Sequence, residues 1–391
     1  MSGRQRMNTG HAKMKNSMTK KVIFITNEPA PYRIPIFDKI AETPGFSLHV
    51  IYCCRREPNR QWDMPPVKFE HTFLRERIKT VNGRYIHNNP DVIPTLKRLA
   101  PDVIITDGFN PTHLYAFGYA LLKGIPHIPM TDGTIDSEKA LSPVHRLVRR
   151  FVYARSRAFL WASLGGKRLY ESYGILDSRS FQSCLCVDNS VYSQEPLAQA
   201  GEKQFDFLFC GRIEAAKSPL FALAVAQEVA RRLGRKVKML FVGTGTQEDD
   251  VKQAAATHPD LLDVTFNGHA AQHELPALYR SARIFLFPTL ADVWGVVANE
   301  ACAAGLPILV SRHAGVAGEL VVDGENGYVC DLDVNLWAER AALLLTDPDL
   351  YRRFSERSRS IVSKYTFDDA SSGIVTACRL VALPGGVQVS S

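Results

Sequence analysis

Long apolar runs are missing from this sequence. No stretch reaches the roughly 18 consecutive apolar residues that a membrane-spanning helix needs, so none is expected. Paired cysteines are missing too. Cys53, Cys54, Cys184, Cys186, Cys210, Cys302, Cys330 and Cys378 are scattered, mostly inside apolar runs. Neither the Cys53–Cys54 pair nor Cys184-x-Cys186 has a partner pair at zinc spacing, and reduced thiols in a cytosolic protein are the expectation. There is no internal repeat on the scale of roughly 20–50 residues, which argues against a solenoid. The formal charge of +7 hides a further lack. Residues 1–21 carry Arg4, Arg6, Lys13, Lys15, Lys20 and Lys21 and no acid, leaving 41 basic against 40 acidic residues in the remainder. The body is near neutral and gives no case for nucleic acid. Residues 1–19 also lack an apolar secretion segment and read as a disordered basic tail.

What is present is material for two cores. At 391 residues with 46% hydrophobic content, two domains are expected. Short apolar runs alternate with helical patterns. In the first half the runs are Lys21–Thr26, Ser47–Cys54, Asp102–Thr106, His127–Met130, Ala158–Ser163 and Ser180–Val187. Such alternation predicts a doubly wound parallel sheet, here over residues 20–190. Polar residues 188–204 read as a linker. Arg33 stands just inside the first helix, and Asp107 and Asp132 stand just past strands, at the edge where such sheets bind ligands. Residues 142–157 form an amphipathic pattern. Val144, Leu147, Val148, Phe151 and Val152 share one helical face, and Arg146, Arg149, Arg150 and Arg155 lie outside it. Two readings stay open: a helix packed in the ordinary way, or one resting on an anionic membrane.

The second half repeats the alternation over 204–365. Phe205–Cys210 leads into Gly211-Arg212 and then Lys217-Ser218-Pro219. Lys236–Val242 leads into Gly243-Thr-Gly245, and Val264–Asn267 into Gly268-His269. The run Arg283–Phe287 ends in Pro288-Thr289, followed by Asp292-Val-Trp-Gly-Val-Val-Ala-Asn-Glu300. Gly295 lets backbone approach a ligand, and Val296–Ala304 reads as a helix stopped by Gly305 and Pro307. Free N–H groups at such a helix start favour an anion. Asp331-Leu-Asp333 has the form of a metal-binding pair but follows a late strand and is discounted. Residues 366–391 read as a terminal helix returning to the first domain.

The segment from Phe287 to Gly327 resembles the donor-site signature of retaining glycosyltransferases of family 4, which have the GT-B architecture. The likeness rests on Gly295, Glu300, Ala301, Gly305, Pro307, Gly318, Glu319, Asp323, Gly324 and Gly327, with Asp292 where the family carries Glu. Gly-Arg212-x4-Lys217 resembles the family's diphosphate-gripping element. The resemblance implies two Rossmann-like domains facing a cleft, a nucleotide-sugar donor and a saccharide or lipid-linked acceptor. No metal or other cofactor is implied. It implies Arg212 and Lys217 on the diphosphate, Glu300 on the ribose and Asp292 on the sugar. Gly211, Gly243, Gly245, Gly268, His269 and the backbone of Val293, Trp294, Gly295 and Val296 would line the nucleotide and sugar. Asp132 stands near where relatives have a histidine by the sugar ring. Arg33 would replace the glycine pair that many relatives have in the first loop. Family habit adds surface-polysaccharide synthesis at the inner face of a membrane. A catalytically silent nucleotide-sugar-binding scaffold is the alternative.

Overall fold

The computed structural model describes residues 19–58, 60, 64–81, 83–139, 141–193 and 203–382. The expected basic tail lies outside them apart from Thr19, as do residues 383–391 at the end of the expected terminal helix.

The first half builds a seven-stranded parallel sheet. Its strands are β1 (Lys20–Thr26), β2 (Phe46–Tyr52), β3 (Glu70–Phe73), then β6 (Val103–Thr106), β7 (His127–Thr131), β8 (Phe159–Trp161) and β9 (Ser180–Gln182). Between β3 and β6 an antiparallel hairpin, β4 (Ile78–Val81) with β5 (Arg84–His87), stands apart from the sheet. The sheet order is β3-β2-β1-β6-β7-β8-β9. Helices α1 (Ile34–Ala41), α2 (Val92–Leu99), α3 (Pro111–Lys123), α4 (Ile135–Lys139), α5 (Pro143–Tyr153) and α6 (Leu164–Ser172) connect the strands. Strand β6 is buried along its whole length, as a strand covered by helices on both faces must be.

The short helix α7 (Asn189–Ser193) follows, and then a six-stranded parallel sheet. Its strands are β10 (Phe205–Cys210), β11 (Val237–Val242), β12 (Leu262–Gly268), β13 (Ala282–Phe287), β14 (Ile308–Ser311) and β15 (Gly327–Cys330), in the order β12-β11-β10-β13-β14-β15. Its helices are α8 (Pro219–Leu233), α9 (Glu248–Ala256), α10 (Leu275–Arg280), α11 (Val296–Ala303), α12 (Val334–Thr346) and α13 (Pro348–Val362). Sequence chemistry sets their ends. Helix α8 has Pro219 at its start and Gly234 in the left-handed conformation at its close. Asp333 caps α12 through the N–H groups of Asn335 and Leu336, and Asp331 pairs with Arg312. The Asp-x-Asp sequence is thus committed to a helix cap and a surface pair.

Helix α14 (Phe367–Ala382) leaves the second sheet and packs against α1 and β9 of the first. The approach is close: a Cβ on Gly373 would lie 1.6 Å from the carbonyl oxygen of Gln182. Asn189 of α7 donates to the carbonyls of Val362 and Tyr365, binding the outgoing and returning chain segments together.

Each sheet reverses direction once. The chain runs outward from β1 to β3 and then resumes at β6 beside β1, and it does the same with β10, β12 and β13. The two crevices at these reversals are where doubly wound sheets bind ligands, outside the carboxyl ends of the strands. The carboxyl edges of the two sheets also meet. Leu164, after β8, donates its N–H to Glu319, after β14, at 2.8 Å.

Candidate active site

The crevice of the second sheet lies between the loop after β10 and the loop after β13. Leu290 donates its N–H to the carbonyl of Ala216 at 2.9 Å, and the Thr289 hydroxyl donates to the same carbonyl. These bonds lash the two loops side by side. Ser218 adopts a left-handed backbone (φ 51°), an uncommon conformation outside glycine, and turns the chain into α8 directly after Lys217. Lys217 Nζ is then 2.6 Å from Asp292 Oδ2 and 3.5 Å from Thr289 Oγ1. Both charged side chains are about four-fifths buried, so the pair is far less screened than a surface bridge. Arg212 is more exposed and pairs with Glu214.

Asp292 is braced from its other side by the loop after β14. Its N–H donates to His313, its carbonyl accepts from Gly315, and the carbonyl of Trp294 accepts from Val316. A Cβ on Gly315 would sit 1.9 Å from the carbonyl oxygen of Val293, so only glycine permits this bracing. Gly295 is likewise fixed. Its φ is +105°, and a Cβ there would lie 2.4 Å from the Phe287 ring. Helix α11 starts directly after it with no side-chain cap, leaving first-turn N–H groups to face an anion. The Trp294 side chain is core: it is buried and bonds Asn299. Val293 is exposed, and Val296 half-buried.

The glycines after β10, β11 and β12 differ in what they do. Gly243 and Gly245 permit backbone contact, since added Cβ atoms would meet the carbonyl oxygens of Gly211 and Ile213 at 2.0 and 2.3 Å. Gly211 and Gly268 face open space, and His269 is exposed.

Glu300 is 6% exposed on α11, with a tyrosine hydroxyl donating to each oxygen: Tyr192 at 3.0 Å and Tyr279 at 2.7 Å. Burial pushes its carboxyl up to about 7, against the two hydroxyls that favour the charged form. Tyr192 comes from α7, between the two sheets. Sequence reasoning missed it because nothing local ties residue 192 to residue 300. Glu319 is pushed up to about 7 by burial too, despite the Leu164 N–H.

The crevice of the first sheet holds a second polar group. Arg33 is 4% exposed and forks Asp132 at 2.8 and 2.9 Å. The pair places Arg33 on a carboxylate of its own domain. Asp107, after β6, is half-buried, with His113 Nε2 3.5 Å from its Oδ1. Burial raises Asp107 to about 6 and lowers His113 to about 3. Beside them His87 Nε2 lies 2.8 Å from Glu57 Oε1, and Glu57 donates its N–H to Glu28. Glu28, Glu57, His87 and His113 went unforeseen. Glu28 alone left a signal, standing two residues past the first strand.

Helix α5 departs from an ordinary packed helix. Of its apolar face only Val152 is buried, while Val144 and Leu147 are 69% and 67% exposed. Among the described residues, no helix is long and apolar enough to cross a membrane, and no group of three or more His, Cys, Asp or Glu is placed to hold a metal.

Comparison with known proteins agrees with this geometry. Residues 195–361 match the glycosyl transferases group 1 family. A glycogen synthase of Mycobacterium tuberculosis is 32% identical over 179 residues, 46% of this chain and 42% of that protein. A D-inositol 3-phosphate glycosyltransferase of Frankia alni is 29% identical over 46% of this chain and 47% of its own length. The matches thus span less than half the length of these curated relatives. Among solved structures, Anabaena HepE in complex with UDP and glucose superposes with a TM-score of 0.68 at 15% identity, covering 92% of this chain and 99% of that one. The chain has the GT-B fold, and its residues 195–361 are similar to the glycosyl transferases group 1 family.

Proposed function

We propose that this chain is a retaining glycosyltransferase. It moves a hexosyl unit from a UDP- or GDP-linked sugar to a saccharide or lipid-linked saccharide, in polysaccharide or glycoconjugate synthesis. The observation that carries the reading is the crevice of the second sheet, where Arg212 and Lys217 flank one side and the Asp292–Gly295 turn opens α11 on the other. In this reading the two cations and the α11 N–H groups hold the diphosphate. They stabilise the charge that gathers on it as the bond to the sugar C1 breaks. Arginine forks two phosphate oxygens and lysine supplies a point charge. Asp292 takes sugar hydroxyls and Glu300 the ribose. The acceptor oxygen bonds to C1 on the face the diphosphate leaves, and a departing phosphate oxygen takes its proton. No metal or other cofactor is invoked.

The acceptor enters from the first sheet, where Asp132 stands at the crevice. The exposed apolar residues of α5, among its arginines, support peripheral contact with an anionic membrane and so a lipid-linked acceptor. Thermal unfolding with UDP, GDP and ADP tests the donor site. A ligand at about 100 times its Kd adds roughly 2.7 kcal/mol. A rise with one nucleotide, lost in Arg212→Ala, is expected, and no rise with any of them overturns the reading.

A further inference from the structure

We infer that Asp107, backed by His113, accepts a hydrogen bond from an acceptor hydroxyl beside the attacking one, and that the acceptor presents a neutral sugar or polyol there rather than a phosphorylated one. The inference rests on the transferase reading above and names a substrate class for its unassigned half.

Three observations carry it. The first is position. Asp107 follows β6 at the crevice where the first sheet reverses, and the Leu164–Glu319 contact shows that this edge faces the edge bearing Lys217 and Asp292. A group here faces the second crevice without belonging to it. The second is construction. His113 is 1% exposed, and neither ring nitrogen has a hydrogen-bond partner closer than the 3.5 Å approach to Asp107 Oδ1. An imidazole buried with so little satisfaction is costly, and such groups mark sites completed by a ligand or by tightening around one. The loop is built around it, since a Cβ on Gly108 would lie 2.9 Å from His113 Nδ1. The Thr26 side chain favours the charged form of the same carboxylate, the form that accepts a hydrogen bond.

The third is charge. The buried or half-buried carboxylates of this crevice are Glu28, Glu57, Asp107 and Asp132. Arg33 is forked onto Asp132, and Arg60 is 3.4 Å from Glu28. Glu57 and Asp107 face imidazoles. Among the described residues Arg33 and Arg60 are thus paired with carboxylates, and Glu57 and Asp107 are two further ones. A phosphate would meet net negative charge in a partly desolvated site, where repulsion is weakly screened. A hydroxyl, which donates, meets the acceptors it needs. On this point the chain parts from relatives named for an inositol phosphate.

The test measures nucleoside diphosphate release from UDP-glucose, GDP-mannose and ADP-glucose, with and without acceptor, alongside nucleotide-induced thermal shift. The acceptor probes are octyl hexosides and myo-inositol, set against hexose 6-phosphates and inositol 3-phosphate. Neutral probes are expected to raise release above the acceptor-free rate, and phosphorylated ones to fail. Asp107→Asn is nearly isosteric. It should lower kcat/KM for the acceptor about 10- to 100-fold through loss of a charge-assisted hydrogen bond. The nucleotide-induced thermal shift, which reads the second crevice, should stay unchanged. His113→Phe should raise acceptor KM alone, and His113→Gln, which keeps an N–H, should restore part of it. Stimulation by a phosphorylated probe, by no neutral probe, or wild-type acceptor kinetics in Asp107→Asn overturns the inference while a nucleotide shift leaves the donor reading standing. Absence of any shift in the wild type overturns both.

Discussion

Replacing Glu300 with glutamine isolates what a buried ligand-binding carboxylate costs the fold. Burial lifts Glu300 from an ordinary value of 4.5 to about 7. The native state therefore holds this proton more tightly than the unfolded chain. Its contribution to stability is complete below pH 4.5, drains away as pH rises, and is gone above about 7. The difference corresponds to about 3 kcal/mol, order of magnitude only. Glutamine never ionises, so it escapes that loss. It also gives up one acceptor, forcing the Tyr192 or Tyr279 hydroxyl to reorient at roughly 1 kcal/mol. Glu300→Gln should thus be more stable than wild type by about 2 kcal/mol at pH 8 and slightly less stable at pH 5. For a lobe of this size that is roughly 4–8 °C in Tm at pH 8. Glu319 titrates in the same window in both proteins and cancels in the comparison. Calorimetry at the two pH values is the assay. A loss of equal size at both would refute the reasoning, because it would mean that hydrogen bonding, and not the burial of charge, governs this position. The same variant should bind nucleotide more weakly.

Lys217→Ala should raise the barrier to donor cleavage by about 2–4 kcal/mol, read as kcat/KM, with the fold intact by circular dichroism. Gly295→Ala places a Cβ into the Phe287 ring at a left-handed position. It should cost about 1–3 kcal/mol in urea unfolding and abolish the nucleotide shift. Leu147→Glu lies at an exposed position and should change stability by less than about 0.5 kcal/mol. It should reduce cosedimentation with phosphatidylglycerol vesicles, and unchanged cosedimentation would count against α5 as the membrane face.

The architecture was legible because buried parallel strands are continuous apolar runs, and β1, β10 and β13 stand out as such. The hairpin β4–β5 was not, since its strands are only four residues long and β4 is largely exposed. The expected strand Ser180–Val187 pairs only through Gln182, although Cys184, Leu185 and Cys186 beyond it are buried; burial and not pairing produced that apolar run. Periodicity identified α5 as a helix but could not say what covers its apolar face. In the crevice of the second sheet, each residue singled out sits just past a strand or on the following helix, and strand ends are readable from local sequence. Pairings across the chain are not. Arg33 meets Asp132 over 99 residues, and Tyr192 meets Glu300 over 108. Neither pair leaves a local pattern.

The return of α14 to the first sheet has a mechanical consequence. The two lobes are joined by two strands of chain, one near α7 and one at Val362–Tyr365, and Asn189 bolts these together. A body attached at a single point can tumble in any direction. One attached at two neighbouring points can only swing about the line between them. The Asn189 bonds therefore restrain how the lobes can move against each other, and Tyr192, which grips Glu300, lies three residues from them. A contact near such a junction moves less than one at the rim, so any swing of the lobes would disturb the Leu164–Glu319 bond before the Tyr192–Glu300 bond.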